Sequence, residues 1–143
     1  MIPSTGEFML RDFRIETQPT HTYKMLLDRS LVRGYADGLE AMKQAVYKIL
    51  FTERYGYIIY SGSYGIELRD LFGQPVSYVC PELERRITEA LTWDDRIESV
   101  TDFEFDFPKK GVVHVAFTVH TVFGDIKAER QVGVCCMKMR PMR

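Results

Sequence analysis

Apolar residues recur at three- and four-residue spacing through Leu39, Met42, Val46, Ile49 and Leu50, with Ala45 on the same side and Lys43, Gln44 and Lys48 opposite. That spacing predicts an amphipathic helix packed on a core. Asp37 is a suitable N-cap, and Glu40 stands where a capping-box partner belongs. Leu83, Ile87 and Leu91 form the inward stripe of a second long helix, reaching about Trp93. Proline is tolerated in a first helical turn, so Pro81 sets the expected start between Ser77 and Cys80. On the solvent side, Glu82 with Arg86 and Arg85 with Glu89 are four apart, each pair worth about 0.2–0.5 kcal/mol.

Elsewhere the pattern is extended. Residues 22–32 read as two short strands turning at Asp28, Arg29 and Ser30, with Gly34 breaking the pattern. Tyr57, Ile58, Ile59 and Tyr60 are β-branched or aromatic and predict a short strand, followed by a Gly/Ser turn over 61–65. Residues 66–72 predict a short helix ended by Gly73. After Asp94 and Asp95 the period becomes two: Phe103, Phe105 and Phe107 share one face, Glu104 and Asp106 the other. Lys109, Lys110 and Gly111 predict a turn, and Val113, Val115, Phe117 and Val119 line one face of a long strand. Gly124 and Asp125 mark the next reversal, and 126–132 returns as a more polar strand expected at a sheet edge. The fold class is therefore α+β: two main helices packed on a small, mainly antiparallel sheet with C-terminal β-hairpins. Residues 1–20 lack periodicity and predict a flexible N-terminal arm, 21–134 a single domain, and 135–143 a short basic tail.

Composition narrows the function classes. The chain has 143 residues, enough for one core, with hydrophobic and charged fractions of 45% and 27% that argue against disorder. A formal net charge of −1 supplies no global field for nucleic acid or a membrane surface. No apolar run approaches the roughly 20 residues of a membrane span, and no secretory leader is expected. Three cysteines, Cys80, Cys135 and Cys136, do not make a disulfide framework.

Catalytic and metal chemistry finds little support. His114 and His120 point to the same face of a strand but stand about 20 Å apart by strand rise, too far to share a metal. His21 has no assignable role. Cys80, in the expected first turn of the second helix, is a site where a thiol pKa can be lowered, although packing is the favoured reading. Glu53, beside several tyrosines, is the candidate acid of a two-carboxylate glycosidase, with Glu67 or Asp70 as partner. The alternative makes Glu53 and Arg54 a polar hinge, or a contact with another subunit. Ser61, Gly62, Ser63 and Gly65 lack the GxxxxGK[ST] spacing of a phosphate loop. No cofactor, metal or catalytic residue is assigned.

Three segments resemble one family: GLEAMKQAVYKILFTE (38–53), YIIYSGSYGIEL (57–68) and LERRITEALTWDDRI (83–97). FTVHTVFGDI (117–126) has the wording of that family's final hairpin. The family is that of XkdS-type prophage baseplate proteins, similar to the small wedge protein that starts the sheath of contractile phage tails. The resemblance implies a small, non-enzymatic α+β subunit that joins wedge proteins on one side and templates the first sheath ring on the other. It also implies a Glu-Pro-Arg motif after the first long helix that carries the wedge contact. Glu53 and Arg54 occupy that neighbourhood, but Tyr60, Ser61, Gly62 and Ser63 replace the Arg-Pro expected before the turn glycine.

The resulting expectation is a structural baseplate subunit of a contractile phage or phage-tail-like particle, with wedge proteins, sheath protein and possibly the tail tube as partners. Neither nucleic acid nor a membrane is expected as a partner. Assembly is expected in the host bacterial cytoplasm, and residence thereafter in the particle's baseplate. The expected interaction residues are Glu53, Arg54, Tyr57 and Tyr60 near the hinge, and Ile126, Ala128 and Arg130 on the last strand. A tail-associated muralytic glycosidase and a generic adaptor are the alternatives.

Overall fold

A computed structural model describes residues 19–27 and 29–133. Nearly all of the predicted arm, the tail with Cys135 and Cys136, and Asp28 lie outside the described residues. Strands β1 (Thr22–Leu26) and β2 (Leu31–Ala36) precede helix α1 (Gly38–Phe51). A connector then leads to α2 (Val76–Thr92), and β3 (Ile97–Lys109), β4 (Val112–Thr121) and β5 (Gly124–Gly133) complete the order. Both sheets are antiparallel, one a β1–β2 pair and the other three-stranded in the order β3-β4-β5. The α+β class stands.

Both helices bury the stripes their sequences define. Met42, Val46, Ile49 and Leu50 of α1 meet Val79, Leu83, Ile87 and Leu91 of α2 in one cluster. Every second residue of β4 from Val113 to Val119 joins them, as do Ile126 and Val132 of β5. The sheet thus packs one face on the two helices and leaves the other to solvent, as antiparallel sheets permit.

Five local expectations need correction. Tyr57–Tyr60 is not a strand but a single turn closed by the Tyr60 amide on Tyr57 O at 3.3 Å, because no described strand pairs with it and its side chains are exposed. The helix expected over 66–72 shrinks to one 3-10 turn, Arg69–Leu71. Helix α2 begins at Val76, so Pro81 lies in its second turn rather than its first. Gly34 does not end β2: its φ of +79° accompanies a bulge between Tyr23 and Met25, a geometry glycine adopts without strain. Glu40 pairs with Lys24 at 2.5 Å instead of closing a capping box, and Asp37 accepts from the Gly38 amide and the Thr20 hydroxyl.

Strand β3 carries the predicted alternation only in part. Phe103 stacks on Phe117 at 5.4 Å, and Phe105 packs against the core. Phe107 is exposed because the ladder slips between Asp106 and Lys109, around Pro108. A second slip lies at Asp102, whose φ is +56°.

The shared core gives a direct stability test. Leu50→Ala or Ile87→Ala should destabilise the fold by about 2–5 kcal/mol, read from urea unfolding. An unchanged midpoint in both variants would mean that these helix faces are wrongly assigned.

Candidate functional site

The connector between the helices has little regular structure, so its shape depends on side-chain bonds to backbone. The Ile66 amide donates to Thr52 O at 2.9 Å, and the Arg54 amide to Ile66 O at 3.1 Å, a single parallel bridge. Gly65 makes the approach possible: at φ +93°, an added Cβ would lie 2.5 Å from Thr52 O. Glu53 Oε1 accepts from the amides of Leu68 (3.1 Å) and Arg69 (3.2 Å), supplying acceptors where the 3-10 turn begins. The Arg54 side chain, 10% exposed, donates to Gly65 O and to Glu89 Oε1 of α2. Arg86 of α2 reaches back to Glu67 O and grips both carboxylate oxygens of Asp70. The predicted pairs Glu82–Arg86 and Arg85–Glu89 close at 2.8 and 3.1 Å.

This polar network is mainly internal. Glu53 and Arg54, expected at a contact with another subunit, hold the connector to itself and to α2. Between them and Ile66 projects the loop containing Tyr57 and Tyr60. Ile58 and Ile59 at its tip are 104% and 83% exposed. Tyr60 stacks on Tyr64 at 4.6 Å, and Tyr57 meets Tyr60 edge-on. The loop therefore has an aromatic base and an aliphatic tip.

The last strand offers a different surface. Its ladder with β4 runs through ten residue pairs without a register shift, from Thr121–Gly124 to Val112–Gly133. Counted from the closing pair Thr121–Gly124, the backbone groups of Asp125, Lys127, Glu129 and Gln131 turn away from β4. Ile126, Ala128 and Arg130 point their side chains inward, with Ile126 and Arg130 buried and Ala128 half-buried. Their contribution to an edge contact is thus through backbone or through the groove beside the strand. That groove, about 1110 Å³, runs between β1 and β5 over α1, lined by Leu26, Val46, Tyr47, Leu50, Phe51 and Ala128 among others.

The remaining candidates have local partners. On the outer sheet face His114 lies 3.3 Å from Glu129, and His120 bridges Thr101 (2.8 Å) and Asp125 (2.7 Å). His21 stacks on Tyr35. Burial pushes the Cys80 thiol pKa up, opposite to the direction a reactive thiol needs. Among the glycosidase candidates, Asp70 is held by Arg86, whose hydrogen bonds lower its pKa, and Glu53 is engaged by two amides. Both carboxylates are thus occupied by partners within the fold.

Comparison with known proteins decides the family. Residues 12–124 match the family described as contractile injection system sheath initiator. The chain belongs to the sheath initiator family. It is also 39% identical over 137 residues to the phage-like element PBSX protein XkdS of Bacillus subtilis (strain 168), a match covering 90% of this chain and 96% of that one. A sheath initiator is a structural component of a contractile, phage-tail-type machine.

The polar network sets the acid sensitivity of this sheath initiator. Hydrogen bonds from Arg85 and Arg86 hold Glu82 down to about 2, from an ordinary 4.5. Arg54 lowers Glu89, while at Asp94 burial acts upward and the Arg96 hydrogen bonds outweigh it. Depressed carboxylates add stability above their unfolded values and lose it as pH falls through their folded ones. The thermal midpoint should therefore fall steadily below about pH 4.5 and go on falling to about pH 2. A midpoint independent of pH across that window would contradict the network.

Proposed function

We propose that this sheath initiator joins baseplate wedge proteins through the connector loop and presents β5 as the strand on which the first sheath subunits assemble. The unshifted ladder of β5 carries the reading. An antiparallel edge that stays in register offers a continuous row of outward N–H and C=O groups to an incoming strand. By contrast β3, the opposite edge, has three register shifts and a proline, features that discourage pairing. Lys127 and Glu129 keep the β5 edge soluble before a partner arrives.

On the wedge side, Glu53 and Arg54 act by holding the loop, and Tyr57, Ile58, Ile59 and Tyr60 supply the contact. Rigid aromatic and aliphatic groups of this kind suit the anchor of an interface. Assembly takes place in the host bacterial cytoplasm, and the subunit then remains in the particle.

Backbone blocking tests the β5 reading. Glu129→Pro removes one outward donor and should leave the isolated protein folded by circular dichroism. Tails assembled with this variant should show baseplates without sheath in electron micrographs. Normally sheathed tails would contradict sheath assembly on β5.

A further inference from the structure

Arg130 breaks the pattern of the inner face of β5. It stands between Ala128 and Val132, at a position where the alternation calls for an apolar side chain, and it is 6% exposed. Its guanidinium carbon lies 3.9 Å from the centre of the Phe51 ring, which stacks in turn on Tyr47 at 4.3 Å. Among the described residues neither Nε nor Nη1 has a hydrogen-bond partner. Glu53 is near enough to act on Arg130 through space, but its Oε1 is engaged by two amides. A buried guanidinium with open donors is costly, and a ring face offsets only part of that cost.

Phe51 and Tyr47 also wall the groove between β1 and β5. The guanidinium therefore lies against a wall of an apolar groove whose far side is a strand edge. We propose that Arg130 is a carboxylate-recognition site, and that the groove takes an extended partner segment bearing an aspartate or glutamate among apolar residues. Arg130 has open donors for such a carboxylate, Nε and Nη1 on different edges of the guanidinium, and either can give a charge-assisted hydrogen bond to one carboxylate oxygen. Tyr47, Leu50, Phe51 and Ala128 take the apolar neighbours. Access to the enclosed donors requires a side-chain rotation at Phe51 or Arg130, a change common at protein interfaces.

This inference rests on the reading of β5 as a docking edge and adds the chemistry of what docks. Two measurements on the full chain test it. The first is urea unfolding of Arg130→Met, a substitution of similar length that removes the charge. Nε and Nη1 have no hydrogen-bond partner to lose among the described residues, and the ring contact with Phe51 offsets only part of the burial cost, so the variant should unfold at the same or a higher urea concentration than the parent. A lower midpoint would mean that Arg130 is already paired within the chain, and would overturn the proposal. The second uses labelled seven-residue peptides of alternating valine and threonine, with glutamate or glutamine at the centre, followed by fluorescence anisotropy. The glutamate peptide should bind the parent about tenfold more tightly or better, and Arg130→Met should abolish the preference. Equal binding of the two peptides, or binding of neither, would overturn the site. Sheathed tails from Glu129→Pro together with an Arg130-dependent glutamate preference would reject strand docking and retain the carboxylate site.

Discussion

The bond between the Glu53 carboxylate and the amides of Leu68 and Arg69 is the constraint on which the centre of this protein depends. Residues 52–75 must cross from one helix to the next with only a 3-10 turn of regular structure. Backbone groups in such a segment need partners, and buried ones left open are expensive. Glu53 supplies one set, Arg54 a second through Gly65 O, and Arg86 a third through Glu67 O. Because Arg54 and Arg86 also bind carboxylates on α2 or beside it, the same bonds tie the connector to the helix that follows. Removing the carboxylate at position 53 loosens the point at which α1, the connector and α2 meet.

Function builds outward from that point. A connector held at both ends projects the Tyr57–Tyr60 turn into solvent, with Ile58 and Ile59 exposed at its tip. The helices, fixed by the same bonds and by a common core, cover one face of the three-stranded sheet. With its inner face occupied and β4 on one side, β5 keeps its outer face to solvent and a free edge beside the groove over α1. The connector loop lies mid-chain between α1 and α2, and β5 is the last strand.

Periodicity made the helices and β4 legible. Their stripes bury almost as the sequence indicates, because a packed face leaves a strong repeat. The family was legible too, through wording such as YIIYSGSYGIEL rather than through chemistry. Short segments misled where composition stood in for context. The β-branched and aromatic character of Tyr57–Tyr60 indicates a strand, but a strand needs a neighbour and this loop has none among the described residues. Pro81 sits one turn deeper in α2 than local preference suggests. The Arg86–Asp70 and Glu53–Leu68 contacts span about 15 positions and left no local signal. Arg130 did leave one, since a charge in the inward series Ile126, Ala128, Val132 is out of place there. The polar hinge that the sequence offers for Glu53 and Arg54 gains its partners, the Leu68 and Arg69 amides, Gly65 O and Glu89, only in the fold.

Amide hydrogen exchange in the Glu53→Ala variant tests the central constraint most directly. If the carboxylate holds the connector, the amides of Leu68 and Arg69 should exchange about 10- to 100-fold faster than in the parent, the range expected for losing a hydrogen bond to a charged group. The amides of β4 should keep their protection. Unchanged protection at Leu68 and Arg69 would show that the connector is held by something else and would contradict the account.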